Sequence, residues 1–329
     1  MLVDRMRSCI EHDDVLSLAL LLEENKDIDI DGLYVDAIFK GLHHYTMLYY
    51  AFMRKATEII RFLISIGADV NGRSGGISDK GAYPLIYACC EGELDNVELL
   101  LDAGANPNIG VDEWTPLTAA LENSNFHLVD RLLLAGADAR ISVPEESLTP
   151  LHIIFYSKEN LACVKRLIEW GVDVNHQDIR GKTPLHVALA KNSVHIECVE
   201  ALLTAGAYLN IQDEEGVTPF HVACRNPENH ELIEEMLKMG ADPNIPDQKG
   251  WTALHIICSR LLLDYLQSPS LQAASILMKY GANKDIRTNE GLLPIDCLST
   301  VDCLSEAMRE NLIHVLNTDY SQKQEARQK

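Results

Sequence analysis

The chain has 329 residues, of which 49 are acidic and 28 basic, giving a formal charge of −21. That balance excludes a nucleic-acid phosphate track or an anionic lipid surface as the main ligand, because both depend on clustered Lys and Arg. An apolar share of 47% against a charged share of 23% excludes wholesale disorder, and no apolar run approaches a membrane span.

Residues 2–24 read as two short helices broken near His12-Asp13-Asp14, with Met6, Cys9, Ile10, Val15, Leu18, Leu21 and Leu22 on the apolar side. No secretory leader is read here, since the apolar run is short and flanked by acids. The pair is expected to cap an array, and a cap with one neighbour needs a polar outer face. The acidic run Asp27-Ile-Asp-Ile-Asp31 leaves it as a finger. Residues 34–45 read as a divergent repeat fragment or an enlarged finger.

From Thr46 a pattern recurs. Thr115-Pro-Leu-Thr118, Thr149-Pro-Leu-His152, Thr183-Pro-Leu-His186, Thr218-Pro-Phe-His221 and Thr252-Ala-Leu-His255 are its clear copies; Thr46-Met-Leu-Tyr49, Tyr83-Pro-Leu-Ile86 and Leu293-Pro-Ile-Asp296 are weaker ones. Their starts lie 37, 32, 34, 34, 35, 34 and 41 residues apart. Each Thr is read as an N-cap, and the Pro after it sits where a missing N–H costs nothing. A second helix follows with a Leu pair spaced to bury one stripe. It closes on a Gly of the kind at Gly67, Gly104, Gly136, Gly171, Gly206, Gly240 and Gly281, where a left-handed turn suits only glycine. Two places break the beat: residues 73–80 lengthen one finger with turn residues, and 260–267 form an insertion in the seventh repeat. Glu306 to Leu316 supplies a last helix, with Met308, Leu312 and Leu316 at helical spacing; the tail has no apolar content to bury and is expected to be disordered.

This motif set, with a modal period of 34, resembles the ankyrin-repeat family, whose period is about 33. The resemblance implies an all-α solenoid of stacked helix-turn-helix units with projecting β-hairpin-like fingers. It divides the chain into an N-terminal cap and divergent finger over 1–45, seven to eight repeats over 46–298, a capping helix over 299–316 and a tail over 317–329. It also implies a function, the gripping of another protein on the concave side formed by fingers and first helices. Carried over by register, the contact residues are Asp112, Trp114, Glu122, Tyr156, Arg180, Lys182, Lys191, Glu214, Glu215, Arg225, Lys249, Trp251 and Arg260. Trp114 and Trp251 lead, as exposed indoles beside acids that bury area and accept cations; Trp170 reads as structural. Asn71 and Asn175 resemble the context in which ankyrin repeats are hydroxylated.

Chemistry is otherwise scarce. His152, His186, His221 and His255 share one register, but helices packed about 8–10 Å apart cannot bring one His each within about 2.0–2.1 Å of a zinc ion. They read as structural hydrogen-bonders, with no metal and no cofactor. No phosphate-binding loop, nucleophile elbow or His-Glu-x-x-His helix occurs, and no enzyme is expected. Cys89, Cys224 and Cys258 occupy one register and read as buried packing residues in a reducing compartment, cytoplasmic or nuclear.

The expected function is a monomeric interaction scaffold or adaptor that presents an acidic concave groove to a protein with a basic segment. One alternative is an inhibitor, similar to the acidic ankyrin proteins of the IκB type, that masks a basic surface of a transcription factor. Another is a substrate recruiter for a ubiquitin ligase, or a pathogen effector: Leu254-x-x-x-Cys258-x-x-x-Leu262 resembles an elongin-binding box, but it coincides with a first helix where Leu and Cys already have a packing role, and no cullin-directed motif follows.

Overall fold

The computed structural model describes residues 2–32, 34–35, 44–74, 83–110, 114–140, 146–157, 160–191, 195–260, 269–298 and 306–318. The fold is all-α. Among the described residues the exceptions are short 3-10 turns and one two-residue antiparallel ladder, Tyr34–Val35 (β1) against His44–Tyr45 (β2), with Tyr34 opposite Tyr45. The chain divides into two compact units, residues 1–172 and 173–329.

The first unit is five helical hairpins: Leu2–Glu11 and Val15–Glu24 (α1, α2), Met47–Arg54 and Thr57–Ser65 (α3, α4), Pro84–Glu91 and Leu94–Asp102 (α5, α6), Pro116–Glu122 and Phe126–Leu134 (α7, α8), Pro150–Tyr156 and Leu161–Glu169 (α9, α10). Like packs on like, with α3 on α5, α5 on α7 and α7 on α9 in one layer, and α2 on α4, α6 on α8 and α8 on α10 in the other. The caps explain the starts. Thr46 Oγ1 accepts from the Tyr49 N–H at 3.1 Å and Thr115 Oγ1 from the Thr118 N–H at 3.2 Å. Tyr83 has no such side chain, and its helix starts on Pro84 alone. The buried stripe runs through Leu63, Leu100, Leu132, Leu133 and Leu167, all fully buried, each contributing roughly 1.5–3 kcal/mol of transfer free energy.

The N-terminal pair departs from the expected cap. Met6, Cys9, Ile10, Leu18 and Leu21 are buried, whereas Val15 and Leu22 are only half-buried. The outer face is not polar throughout, because Leu16 is 78% and Leu20 59% exposed. The cause lies in the sequence of α2, which is apolar on nearly every side while its neighbours cover one stripe.

The second unit repeats the hairpin as Pro184–Leu189 and Ile196–Thr204 (α11, α12), Pro219–Cys224 and His230–Lys238 (α13, α14), Ala253–Arg260 and Pro269–Lys279 (α15, α16). A 3-10 turn, Pro294–Leu298, stands where a first helix would, packed on α15, and Glu306–Asn317 (α17) packs on α16 with Leu312 and Leu316 buried. The closing glycines keep their beat: at Gly206, φ is 88°, and the next N–H, Ala207, reaches back to the Leu202 carbonyl at 3.0 Å. The lengthened finger over 75–82, the insertion over 261–268, Met308 and the tail over 319–329 lie outside the described residues or side chains.

Candidate functional site

In the second unit the first helices and the finger tips before them build the site, and in the first unit the described part of it is the C-terminal ends of the short helices. In the first unit the site is aromatic and acidic. The Tyr45 and Tyr49 rings stack with centroids 5.6 Å apart, and Tyr49 meets Tyr87 of α5 edge-on at 5.5 Å. Trp114, a donor only, is hydrogen-bonded to the Cys90 side chain. Burial nevertheless pushes the Cys90 thiol up, and the Glu122 and Glu91 carboxylates add to the shift. Burial likewise raises the Tyr87 phenol, with Glu91 and Glu93 adding to it. One indole, one thiol, one phenol and several carboxylates therefore lie within electrostatic reach of each other.

Glu91 and Glu122 are the last residues of α5 and α7. Helix dipoles favour cations there, so both carboxylates stand where helix stability alone would not put them. Lys55 Nζ lies 3.3 Å from Glu91 and 3.2 Å from Glu93, an exposed arrangement worth little to stability. Tyr156 ends α9 with 52% of its surface exposed. Asp112 lies outside the described residues.

In the second unit Arg180, Glu214, Glu215, Arg225 and Lys249 are exposed, and Lys182, Lys191, Trp251 and Arg260 half-buried. Neither favoured indole is fully exposed, which corrects the expectation from sequence. Trp114 is half-buried beside Cys90, and Trp251 is half-buried with its ring centroid 6.0 Å from that of His255 and its backbone N–H donated to Asp247 Oδ1 at 2.8 Å. Nor is the acidity even, since the register residues of the second unit are mainly cations. Trp170 ends α10 near the Arg166 guanidinium, 6.0 Å from the ring centroid.

A clasp and a ladder position the fingers of the second unit. His186 Nδ1 accepts the Thr183 N–H at 3.0 Å, so its proton sits on Nε2, which donates to the Val217 carbonyl at 3.0 Å. His255 does the same with Thr252 at 3.2 Å and Leu292 at 3.3 Å, leaving neither nitrogen for a metal. Burial depresses the pKa of His186, His221 and His255. Sequence reasoning missed the carboxylate clamp: Asp178 Oδ1 accepts the Arg180 and Lys182 N–H groups, Asp213 Oδ1 those of Glu215 and Val217, and Asp247 Oδ1 those of Lys249 and Trp251. The signal was an Asp five residues before each Thr, with Gly three residues after it. Successive tips then bond to each other, Glu214 N–H to Arg180, Gln248 to Glu215 and Asn289 to Lys249, each at 3.0 Å. The Tyr45–Tyr49–Tyr87 run was also missed.

Asn71 and Asn175 bridge neighbouring repeats. Asn71 donates to the Gly104 carbonyl at 3.4 Å and accepts the Asn106 N–H at 2.8 Å; Asn175 donates to Gly206 at 3.0 Å and accepts from Tyr208 at 2.7 Å. Cys89, Cys224 and Cys258 are buried at one register, their thiols pushed up by desolvation. Leu254, like Cys258, is fully buried; Leu262 lies outside the described residues.

The family profile for ankyrin repeats, in three copies, matches residues 74–143, 117–213, 151–247 and 220–302. An ankyrin repeat protein of fowlpox virus (strain NVSL), FPV031, is 32% identical over 157 residues, covering 46% of this chain and 45% of the relative. Ankyrin repeat and SOCS box protein 16 of Homo sapiens is 36% identical over 113 residues, 34% of this chain and 24% of that protein. The chain thus spans less than half the length of these curated relatives. Among solved structures, the ankyrin repeat domain of Bcl-3, a member of the IkappaB protein family, matches with a TM-score of 0.57 and 24% identity over 71% of this chain and 100% of that one, a likeness of fold.

Proposed function

Because the chain belongs to the ankyrin-repeat family, whose repeats mediate protein–protein interaction, we propose that it is a non-enzymatic, monomeric scaffold or adaptor whose finger and first-helix face grips a partner protein. The observation that carries this reading is the group around Cys90. Trp114, Tyr87, Glu91 and Glu122 combine aromatic surface with carboxylates set against the helix dipoles. Such a surface suits a basic segment, through cation–π contact and charge complementarity. The work is cytoplasmic or nuclear in this reading, and reduced buried cysteines support it.

A transcription-factor inhibitor would use the same acidic face, and the fold likeness to Bcl-3 is compatible with it. The ligase-recruiter reading draws on the relative named for a SOCS box, but burial of Leu254 and Cys258 ties those side chains to the core, so exchanging either would disturb the fold first. Hydroxylation of Asn71 and Asn175 is proposed to need local opening of the repeat, because both carboxamides are engaged; peptide mapping after incubation with an asparaginyl hydroxylase reads it out.

The test is affinity purification with wild type beside a Trp114→Ala, Trp251→Ala double variant, with circular dichroism to verify that both are folded. Recovery of specific partners is expected to fall at least roughly tenfold, the size of effect that loss of one aromatic hot spot produces. Equal recovery of every partner by both proteins would remove this face from the proposal.

A further inference from the structure

Several cations of the second helices are paired: Arg131 Nη2 lies 2.9 Å from Asp102, Arg166 Nε 2.6 Å from Asp130 and Lys279 Nζ 2.6 Å from Glu234. On the finger and first-helix face of the second unit four are not: among the described residues, the side chains of Arg180, Arg225, Lys249 and Arg260 make no ion pair or hydrogen bond. In a chain with 49 acidic residues against 28 basic ones, four such cations on one face need a reason beyond the helix dipole, which already favours Arg225 and Arg260 at the C-terminal ends of α13 and α15.

Their arrangement supplies it. Lys191, Arg225 and Arg260 follow or end α11, α13 and α15, which stand side by side, so one cation per repeat forms a row with a spacing of about 8–10 Å. Arg180 and Lys249 crown the fingers in front of that row, at tips held by the Asp178 and Asp247 clamps. A polypeptide in the extended polyproline II conformation advances about 3.1 Å per residue with three residues per turn, so every third side chain on it lies on one face and falls opposite a new repeat.

We infer that the finger and first-helix face of residues 173–329 receives an extended acidic segment of a partner protein, with a carboxylate at about every third residue. The inference rests on the proposed reading of this face as partner-gripping and adds to it a second segment, opposite in charge to the one that suits the first unit. A nucleic acid fits less well. Glu214 and Glu215 crown the finger between Arg180 and Lys249 and interrupt a phosphate track, and the net charge of −21 repels a polyanion at long range. A peptide with spaced carboxylates places its neutral residues against those two.

The experiment uses the full chain and two fluorescent peptides, one with Glu and one with Lys at every third position, titrated at low and at physiological salt. The variant pair Arg225→Glu, Arg260→Glu is expected to weaken the Glu peptide at least tenfold and leave the Lys peptide unchanged. The finger pair Arg180→Gln, Lys249→Gln, which removes charge from exposed tips without reversing it, is expected to weaken the Glu peptide severalfold with an unaltered melting curve. Unchanged affinity for the Glu peptide in both variants overturns the inference. So does tighter binding of an oligo-dT strand or of phosphatidylserine vesicles than of the peptide. Concentration-dependent dimerisation in sedimentation that the Arg225→Glu, Arg260→Glu pair abolishes would make a second copy of this chain the occupant and overturn it too. Glu91→Lys with Glu122→Lys separates the two proposals: if that pair leaves Lys-peptide binding intact, the basic-partner reading fails while the acidic-segment inference stands.

Discussion

Residues 1–172 and 173–329 use the same helical hairpin and the same buried leucine stripe, yet the sequences of their fingers differ. Among the described residues, the second unit alone carries the Asp clamps and the backbone bonds that run from tip to tip. In the first unit the position five before the repeat start is Gly41, Ser78, Gly110 or Pro144 instead of Asp, and its face is built from rings and carboxylates. The difference teaches that the clamping carboxylate is a property of the finger sequence, which varies while the helical hairpin does not. Divergence in the fingers leaves the stack intact and changes what it can bind.

The sharpest way to break this comparison is to obstruct the ladder. Gly216 has φ 75°, and a Cβ there would lie 2.7 Å from the Gln248 nitrogen, the donor of the next tip bond. Gly104 has φ 89° with nothing within 4 Å of its Cβ position. Gly216→Ala is therefore expected to cost roughly 3 kcal/mol, left-handed strain plus the clash, and Gly104→Ala about 1 kcal/mol from strain alone. Shifts of the urea midpoint measure both. Equal costs would mean that the tips do not hold each other.

Acid should next separate first helices that carry the clasp histidine from those that do not. His186, His221 and His255 have pKa values depressed by burial, so the unfolded chain binds protons before the folded one does. Their contribution is complete above the unfolded value, about 6.5, and is lost as pH falls from there through the lower folded values. Hydrogen exchange, corrected for intrinsic rates, is expected to show α11, α13 and α15 losing protection between neutral pH and pH 5.5 faster than α3, α5 and α7, which have Tyr49, Ile86 and Thr118 in the His register. Uniform loss would remove the clasp as the source of the difference between helices with and without the His.

These contrasts also mark how far the sequence could be read. The N-caps, the prolines at the helix starts, the closing glycines and the buried Leu stripe are local signals, and the helices lie where they indicated. The break at His12-Asp13-Asp14 separates α1 from α2 as expected. What escaped depends on a partner about 34 residues away: the Asp clamps support bonds between fingers, the bridging Asn side chains reach the next closing element, and Tyr49 stacks in a row that only packing assembles. The sign of the face escaped for a related reason. A net charge of −21 is a property of the whole chain, and it hid a second unit whose register residues are mostly cationic. The outer face of α2 was misjudged because a rule about caps says nothing of a helix that is apolar all round.

The smallest effect concerns a position where the first unit lacks a bond that it makes elsewhere. Asn71, Asn108, Asn175, Asn210 and Asn244 each donate to the closing-glycine carbonyl of the next repeat, at 2.9 to 3.4 Å. The residue in that register after Gly136 is Arg140. Its backbone already has the local arrangement of the bridging residues: the Arg140 N–H donates to Asp138 Oδ1 at 2.9 Å, as Asn71 does to Asp69 at 2.9 Å and Asn108 to Asn106 at 3.0 Å. A carboxamide at 140 needs no rearrangement to reach the Gly171 carbonyl, and a guanidinium is too long to do so from the same backbone. Arg140→Asn is therefore expected to stabilise the chain by about 0.5–1.5 kcal/mol, one net hydrogen bond, seen as a raised urea midpoint, with Asn108→Arg losing a similar amount. A midpoint unchanged in both variants would show that solvent-exposed bridges add nothing to repeat coupling, and the units would then differ in their fingers alone.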